Sequence, residues 1–498
     1  MAVKPSILGA ILLIVGLIVG IGIGYAIAPG GAPTTVTVEK TVTQAAQTVT
    51  VTAPGVGKTI TITVPKGIEA KEIVIKAWTI GPDEPSYYRF ENLKRAAELL
   101  NKMLADAGIP ITIKIEGTFW TGSWEDYKGK LLFMFQAGEA PDIILSGHED
   151  IAAWADAGYI IPLDDYIAKY KGLWFFDDII PTLWNSVKYK GKIWGIPQDT
   201  EARPFYFRKD LLMKMGWSEN DIKAFKEKAW KGEITLWDIL EICKEAIDKG
   251  VIQEGYCVWH RPKRGVDYYQ IYLAFGGKLQ DPTTGKLILD KKAMLNMLKW
   301  LHDAVHKYKA LRSDMIGLDW KIIHENWVGG KLLFWFGGTW QKAEWIKKYG
   351  MSEEDFWKLI DFIPVPPGEK GGKPVTISHP LVYMISSQSK HPELAFLIVA
   401  LATNPLFNAD HAIESGHLAI MYSELSVPKY KEDKWATVAA SLLEFTQFAP
   451  NHPKFGVYDE IVFAAMRGVE SGELTPEQAL DYIVSQMQAQ LGDQVIIK

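Results

Sequence analysis

The chain has 498 residues, which is too many for one compact hydrophobic core and favours two large lobes. With 48% hydrophobic and 23% charged residues, it has the composition of a globular protein. Its formal net charge of −5 excludes the basic surface that nucleic-acid binding requires.

An uncharged apolar segment, residues 5–28, follows Lys4 at the start of the chain. As a helix, its 24 residues would span roughly 36 Å, which is sufficient for a bilayer core of about 30 Å. Because the positive charge lies on the N-terminal side, we expect residues 1–29 to form an uncleaved membrane anchor with the rest of the chain outside the cell. The alternative is a cleaved signal peptide, whose apolar region is shorter, about 7–15 residues.

Residues 34–64 have low sequence complexity, with threonine interleaved with valine. Such a segment buries too little surface to offset the entropy lost on ordering. We therefore expect residues 30–70 to form a stalk, which is also a candidate for O-glycosylation. A short β-ribbon or a weak coiled coil is the alternative interpretation.

After the stalk, the periodicity predicts alternating strands and helices. Strand patterns occupy residues 72–78, 111–116 and 142–145, and helical spacing occupies residues 90–107, which stop at Gly108, and 127–136. This rhythm predicts a mostly parallel sheet, in which ligands lie beyond the carboxyl ends of the strands. Trp78 and residues 147–150 occupy such ends.

Residues 195–211 combine a polar segment with an aromatic strand. The polar part contains Gln198, Asp199 and Glu201, and the apolar run 205–207 follows it before a helix begins near residues 208–210. This order is typical of a chain that crosses between two lobes, with its polar groups facing the gap. An ordinary core strand with a polar lead-in is the alternative.

Two cysteines, Cys243 and Cys257, have no C-x-x-C spacing and no metal-ligand spacing. We expect two buried thiols, with a disulfide as the alternative if the fold brings them together. There is also no H-E-x-x-H motif and no EF-hand loop, so the sequence predicts no metal and no cofactor.

Five segments, in order along residues 71–498, share a pattern with one protein family. They are GEAPDIILSGHEDIAAWADAGYIIPLDDYI, YKGKIWGIPQDTEARPFYFRKDL from Tyr189, TLWD at 235–238, GGKLLFWFGGTW at 329–340 and TPEQAL at 475–480. Thr235 with Asp238, and Thr475 before Pro476, also predict helix N-termini. The set resembles the maltose-binding type of extracellular solute-binding protein, family 1, although Phe-Arg at 207–208 replaces the Tyr-Asn of that family.

The resemblance implies an α/β protein with the two-lobed periplasmic-binding-protein type II fold. Each lobe would be a mixed, mostly parallel sheet flanked by helices, preceded here by the N-terminal transmembrane helix. Three crossing segments, near residues 202–205, 376–381 and 414–418, would form a hinge, with the ligand between the lobes. Lobe 1 would comprise residues 71–203 plus 379–415, and lobe 2 residues 204–378 plus 416–498.

A sugar site needs flat aromatic walls and charged or amide groups in one place. The resemblance aligns Glu201 with a family carboxylate that accepts ligand hydroxyls, and Trp340 with a ring-stacking tryptophan. The other ligand-binding candidates are Trp78, His148, Glu149, Asp150, Asp267, Tyr268, Tyr269, His379 and Tyr458.

Structural alternatives stay open for these candidates. They are a salt-bridged Glu201, a core Trp340, a histidine at 148 that serves the fold, and tyrosines that pack in the core. Asp150 departs from the family pattern, because the second member of the polar pair after the third strand is usually basic there.

The resemblance implies a receptor with no catalytic residues. It would be tethered to the membrane, bind a sugar or oligosaccharide outside the cell and deliver it to the permease subunits of an ABC importer. Receptors for another solute, such as a peptide or polyol, and a secreted glycosidase are the alternatives. A glycosidase would need two carboxyl groups about 5–9.5 Å apart. The threonine-rich stalk and the body rich in lysine and isoleucine suggest an archaeal envelope.

Overall fold

The computed structural model of the chain describes residues 37–42, 46–52, 59–65, 70–81, 83–170 and 174–498. Tertiary contacts divide the chain into two compact units. The first contains Met1–Asp199, Pro380–Glu414 and Ala419–Ala436, and the second contains Thr200–His379, Ser415–Leu418 and Thr437–Lys498. The breaks after Asp199, His379 and Glu414 lie at or near the predicted crossing segments.

The predicted membrane anchor, residues 5–28, lies outside the described residues. Within the described ranges, no single helix is long and apolar enough to cross a bilayer. One pair of helices, Pro392–Ala402 and Pro405–Ser415, meets the criteria of length and composition together, with a bend of 63° between its members.

The threonine-rich segment forms a three-stranded antiparallel sheet. Its strands are Thr37–Val42, Ala46–Thr52 and Thr59–Pro65, with the second in the middle. The register pairs Thr52 with both Thr37 and Thr59. Threonine and valine are β-branched and favour extended backbone. The segment therefore corresponds to the β-ribbon alternative and not to an unstructured stalk.

A five-stranded mixed sheet forms the centre of the first unit. In spatial order its strands are Ile111–Trp120, Lys71–Ile80, Ile143–Gly147, Leu381–Ile385 and Ile196–Pro197, of which the first three are parallel and the last two are antiparallel to their neighbours. The helices of this unit are Tyr88–Asp106, Trp124–Ala137, Ile151–Asp156, Asp164–Lys169, Trp174–Asp178, Pro181–Ser186, Pro392–Ala402, Pro405–Ser415 and Pro428–Glu432. The hairpin Lys188–Tyr189 with Lys192–Ile193 completes it, and helix Lys434–Ala439 begins in it. The predicted strands and helices of residues 72–145 are confirmed, with small changes at their ends.

Two glycines allow the first unit to take this form. Helix Tyr88–Asp106 is followed by Gly108, whose φ of +70° is left-handed and favours glycine at a helix end. Gly117 has a φ of +146°, and a Cβ there would lie 1.7 Å from the carbonyl oxygen of Ala77 on the neighbouring strand. Only glycine therefore lets these two strands pair at this point.

The segment Ala419–Ala436 belongs to the first unit, which corrects the expectation that residues 416–498 lie wholly in lobe 2. Its Val427 and Tyr430 are buried in an apolar cluster with alanines of helix Pro405–Ser415. Burial of such side chains is worth about 1.5–3 kcal/mol each, which is enough to hold the segment on this unit.

The second unit is built around a four-stranded sheet. In spatial order its strands are Val258–Trp259, Phe334–Phe336, Phe205–Arg208 and Ile360–Ile363, of which the first two are parallel and the other pairs antiparallel. Two parallel pairs, Leu287–Leu289 with Val495–Ile497 and Thr376–Ser378 with Thr446–Phe448, lie outside this sheet. The helices are Lys209–Lys214, Glu219–Trp230, Leu236–Asp248, Tyr269–Ala274, Lys291–His306, Trp320–Val328, Gln341–Lys347, Glu353–Leu359, Phe455–Ser471 and Pro476–Leu491. The predicted aromatic strand at 205–207 is confirmed, and all of its residues are buried.

Both predicted helix caps are present in the second unit. The Thr235 hydroxyl accepts the N–H of Asp238 at 3.2 Å, and the Asp238 carboxylate accepts the N–H of Thr235 at 2.8 Å. Thr475 and Gln478 form the same reciprocal motif at helix Pro476–Leu491. Each motif satisfies two backbone donors that the first turn of a helix leaves free.

Cys243 and Cys257 form a disulfide, which corrects the expectation of two buried thiols. Cys243 lies on helix Leu236–Asp248, and Cys257 immediately precedes strand Val258–Trp259. The fold brings the two Cα atoms to 5.5 Å, which is within the range that a disulfide spans.

Candidate functional site

An arginine between two carboxylates is the centre of a buried charged cluster in the second unit. Arg203 forms an ion pair with Glu201 through Nη1, and its Nε donates to Asp267 Oδ1 at 2.9 Å. The exposed fractions of these three side chains are 3% for Arg203, 6% for Glu201 and 5% for Asp267. Glu201 also accepts the backbone N–H of His379 at 3.1 Å. Glu201 therefore occupies the position of the salt-bridged alternative, and its contact with a ligand stays a prediction.

A second arginine, Arg261, completes the neutralisation of Asp267. Its Nη1 lies 3.1 Å from Asp267 Oδ2, and its guanidinium lies 5.3 Å from the ring centroid of Trp320. Burial alone would raise the pKa of Asp267, but the charges of Arg203 and Arg261 outweigh it and lower that pKa to about 2. Asp267 is thus ionised at neutral pH, between the two guanidinium groups.

Trp340 lies beside this cluster. Its ring centroid is 5.2 Å from the guanidinium of Arg203 and 5.9 Å from the ring of His417, which is nearly parallel to it at 14°. A Cβ at Gly338 would lie 2.0 Å from the indole, so this glycine leaves the space that the ring occupies. Trp340 is partly exposed, and together with the Arg203 cluster it gives the second unit an aromatic surface next to fixed charges.

The three tyrosine candidates lie in the core of the second unit. Tyr268, Tyr269 and Tyr458 are all fully buried. Tyr268 donates to the carboxylate of Asp459, and Tyr458 donates to the carbonyl of Ile288 at 2.9 Å. Their positions match the core-packing alternative, because each ring lies among other aromatic side chains.

In the first unit, one lysine serves two carboxylates. Lys128, on helix Trp124–Ala137, places Nζ 3.1 Å from Glu149 Oε1 and 2.7 Å from Asp150 Oδ2. Burial raises the pKa of Asp150, and the negative charge of Glu149 raises it further. The positive charge of Lys128 lowers this pKa, but by less than burial and Glu149 together raise it. The acidic residue at 150, where the family pattern has a basic one, is therefore accompanied by a cation from another element.

Trp78 belongs to an aromatic group at the carboxyl end of its strand. Its ring stacks with that of Trp120 at a centroid distance of 6.4 Å and with that of Tyr127 at 6.3 Å. Tyr127 is fully buried and donates to the carbonyls of Trp78 and Leu145, at 2.9 Å each. Trp78 and Trp120 are partly exposed, so the first unit also presents aromatic rings at its strand ends.

The two histidine candidates differ in exposure. His148 is fully buried in the first unit, where its N–H donates to the Pro380 carbonyl at 3.1 Å and its Nδ1 lies 3.3 Å from the same oxygen. This position matches the structural alternative. His379, in the second unit, is partly exposed and follows strand Thr376–Ser378.

The charged cluster of the second unit is suited to hydrogen bonding and not to acid catalysis. A glycosidase requires one carboxyl group that stays protonated near neutral pH. In the cluster, Arg203 contacts both carboxylates, and the pKa of Asp267 is lowered to about 2. Ion-paired carboxylates and guanidinium groups hold their oxygen and nitrogen atoms in fixed directions, which suits recognition of hydroxyl groups.

Three functional candidates, Arg203, Arg261 and Lys128, lie outside the set predicted from the sequence. Arg203 stands two residues after Glu201 in an extended segment, and that spacing places both on one side of the chain. The adjacent carboxylates at 149 and 150 predict a cation from another element, and the structure supplies Lys128. No local pattern marks Arg261.

Comparison with known proteins gives a family match. A family model described as bacterial extracellular solute-binding protein matches residues 105–405, which is more than half of the 498-residue chain. The maltotriose-binding protein of Pyrococcus abyssi is 22% identical over 341 residues. That alignment covers 66% of this chain and 66% of the relative, just under two thirds of its length.

Solved structures share the fold. The GacH receptor of Streptomyces glaucescens, determined unliganded and in complex with acarbose, superposes with a TM-score of 0.67 at 18% identity, over 85% of this chain and 100% of that one. Maltose-bound MalE3 of T. maritima superposes with a TM-score of 0.67 at 19% identity, over 84% of this chain and 100% of that one. These matches establish a mixed α/β architecture of the maltose-binding-protein type.

Proposed function

Because the chain belongs to the family of bacterial extracellular solute-binding proteins, we propose that it binds a sugar or oligosaccharide outside the cell and delivers it to an ABC-type importer. Members of this family are solute-binding receptors and not enzymes. The sugar class of the ligand is supported by the relatives, whose names or bound molecules include maltotriose, acarbose and maltose.

The observation that carries the proposal is the partly exposed Trp340 ring beside the buried Arg203 cluster. A sugar ring has apolar C–H faces that stack on an indole, and hydroxyls that need oriented donors and acceptors. Glu201, Arg203 and Asp267 offer both kinds of atom and carry no net charge together with Arg261. An electrically balanced surface of this kind suits an uncharged ligand.

The first unit supplies a second set of groups of the same type. Trp78 and Trp120 are partly exposed rings. Lys128 holds the carboxylate oxygens of Glu149 and Asp150 in place. We include these residues in the proposed ligand-binding set, with His379 of the second unit.

The membrane attachment is part of the same proposal. Residues 5–28 contain no charged side chain and are long enough for a transmembrane helix, with the stalk between them and the body. A tether of this kind keeps a receptor near its permease without relying on free diffusion. An archaeal envelope is consistent with the threonine-rich stalk.

Binding is tested by calorimetry on the full chain in detergent, with maltotriose as the first ligand. We expect Trp340→Ala to raise the Kd at least about tenfold. Stacking of a sugar ring on the indole, with the apolar surface that it buries, is worth roughly 1.4 kcal/mol or more. The matched control is Trp237→Ala, a partly exposed tryptophan at the start of helix Leu236–Asp248 in the same unit. An equal loss of affinity in both variants would remove Trp340 from the site.

A thermal-shift screen separates the other ligand classes. A ligand that binds only the folded state raises the melting temperature, so maltotriose, mannitol and short peptides are compared at equal concentration. A shift with peptides alone would overturn the sugar assignment, and a shift with mannitol alone would make the protein a polyol receptor. Release of reducing sugar from an oligosaccharide at a rate that depends on Glu201 would make it a glycosidase.

A further inference from the structure

His260 and Glu470 form a buried pair in the second unit that the proposed binding function does not use directly. Nε2 of His260 lies 2.8 Å from Glu470 Oε1, and Nδ1 lies 2.8 Å from the carbonyl oxygen of Arg261. The exposed fractions of the two side chains are 2% and 1%. His260 follows strand Val258–Trp259 and Glu470 belongs to helix Phe455–Ser471, so the pair joins two separate elements.

The contacts of His260 require protons on both sides of the ring. The Arg261 carbonyl can only accept, so Nδ1 must donate to it. The contact at Nε2 then needs one further proton, which resides on the ring or on Glu470. Without that proton, a ring lone pair would face either the Glu470 carboxylate or the Arg261 carbonyl at 2.8 Å away from water, which is unfavourable. The pair therefore shares one dissociable proton.

The peptide that His260 holds carries the arginine of the candidate site. Arg261 donates through Nε to the carbonyls of Lys263 and Arg264, at 3.1 Å each. A Cβ at Gly265 would lie 2.4 Å from this Nε, so the loop fits closely around the guanidinium. The Arg261 side chain projects from this loop to Asp267, at 3.1 Å.

We propose that His260 and Glu470 are a proton-dependent positioning pair for the candidate sugar site of the second unit. With the shared proton in place, the pair fixes the Arg261 peptide and, through Asp267, the Arg203 cluster. When the proton is lost, the remaining ring proton is drawn to Nε2 by the carboxylate, so that Nδ1 presents a lone pair to the Arg261 carbonyl. This repulsion displaces the Arg261 peptide, and the affinity for the ligand falls. The predicted change in ligand affinity rests on the proposed function, sugar binding by this site.

The surroundings of His260 give the direction of the pH dependence. The charged groups that act on it are Glu470 from the helix and Asp267 from its own loop, and the backbone carbonyl of Arg261 accepts its other N–H. Burial lowers the pKa of His260, but the charge of Glu470 and the two hydrogen bonds outweigh it, so that the pKa is raised above 6.5. The contribution of His260 to the free energy of unfolding is complete below its pKa in the unfolded chain, about 6.5. This contribution is lost as the pH rises through the pKa of His260 in the folded protein.

Glu470→Gln removes the shared proton and keeps both contacts. The glutamine amide donates to a neutral Nε2, while Nδ1 still donates to the carbonyl of Arg261. Glu473→Gln is the matched control, since Glu473 is exposed just beyond the same helix. Maltotriose affinity by calorimetry and the melting temperature are measured for the full chain from pH 6 to pH 10.

We expect the Kd of the wild type to rise about tenfold between about pH 6.5 and 9.5, as loss of one buried charge-assisted hydrogen bond implies, and that of Glu470→Gln less than about twofold. Glu473→Gln should follow the wild type. Parallel pH profiles of the wild type and Glu470→Gln, in both affinity and melting temperature, would overturn the proposal.

The melting temperature separates this proposal from the proposed function. If maltotriose binds no variant, the sugar assignment fails, but the wild type should still lose more thermal stability than Glu470→Gln as the pH rises. If Glu470→Gln does not fold, the double variant His260→Gln/Glu470→Gln takes its place, because it has neither the titrating ring nor the buried carboxylate and should give the flatter profile. A slope for the double variant equal to that of the wild type then excludes the pair.

Discussion

Each unit contains a buried carboxylate that is stabilised in a different way. In the second unit, Asp267 contacts two guanidinium groups, and its pKa is lowered to about 2. In the first unit, the donors to Glu424 from the described residues are neutral: the backbone N–H groups of Ile420 and Met421 and the amide of Asn408, each at 3.1 Å. Burial raises the pKa of Glu424 to about 8. The presence of a cation in contact, and not burial, decides whether the carboxylate is ionised.

The two carboxylates therefore give opposite pH dependences of stability. Asp267 has a depressed pKa, so its contribution is present above the unfolded value of about 3.9 and is lost as the pH falls through about 2. Glu424 has a raised pKa, so its contribution is complete below the unfolded value of about 4.3 and is lost as the pH rises through about 8. The ionised cluster lies beside the candidate site, whereas the neutral acid holds the segment Ala419–Ala436 in place.

The largest expected effect is that of Arg203→Met. This change leaves Glu201 buried without its arginine and Asp267 with one cation instead of two. Removal of one partner of a buried ion pair costs about 3–5 kcal/mol, so we expect a loss of this order in the free energy of unfolding, measured by urea denaturation. Lys244→Met, which breaks an exposed pair with Asp248, should leave the free energy of unfolding almost unchanged. Equal losses in the two variants would contradict the difference between buried and exposed pairs.

Glu424→Gln tests the neutral acid of the first unit. The wild type should lose about 2–4 kcal/mol of stability as the pH rises from about 4.3 to above 8, because a protonated carboxyl must ionise inside the protein. The variant should lose less stability than the wild type over this range, by about that amount, in denaturation curves at several pH values. Glu432→Gln, at an exposed position of the same segment, is the control and should reproduce the wild-type slope. A wild-type curve that is flat above pH 5 would show that Glu424 is already ionised.

Gly338→Ala should have the smallest effect on free energy. It tests whether the position of Trp340 beside the Arg203 cluster contributes to ligand binding. An added methyl would meet the indole of Trp340 at 2.0 Å and move the ring away from Arg203. We expect the Kd for maltotriose to rise about threefold to tenfold, or roughly 1 kcal/mol, with little change in unfolding. Gly456→Ala, where a Cβ has open space, is the control measured in the same calorimetric titrations. Unchanged affinity would mean that the ring position is irrelevant to binding.

Local patterns predicted the regular elements, because the forces that select them act over a few residues. Helix Leu236–Asp248 begins where Thr235 and Asp238 can cap it, and strand Phe205–Arg208 follows from a run of large apolar side chains. The same patterns carried the family resemblance and with it the overall fold class.

Partners far apart in the chain could not be predicted in this way. Arg203 and Asp267 are separated by 64 positions, and Lys128 and Asp150 by 22. The sequence therefore identifies Glu201 as a hydrogen-bonding carboxylate but not the arginine that holds it. An alanine at 201 is now expected to weaken binding and stability together, since it leaves Arg203 with one carboxylate instead of two.

The disulfide and the core tyrosines show the same limit. Cys243 on a helix and Cys257 before a strand meet through the tertiary fold of the second unit, and no spacing rule encodes that contact. Tyr269 and Tyr458 occur in segments that resemble ligand-binding ones, but the direction of each side chain depends on the helix to which it belongs. Residue type alone does not distinguish a core aromatic ring from an exposed one.

Because the segment Ala419–Ala436 belongs to the first unit, that unit cannot finish folding until much of the second unit has been synthesised. The first unit begins near the N-terminus, yet its last segment leaves the ribosome after residues 200–379 of the second unit. Contacts across such a distance form late, and until then helix Pro405–Ser415 lacks the apolar cover that Val427 and Tyr430 provide. The extracellular receptor proposed above would benefit from this delay during its export, because neither unit can reach its final form during synthesis of the first 400 or so residues.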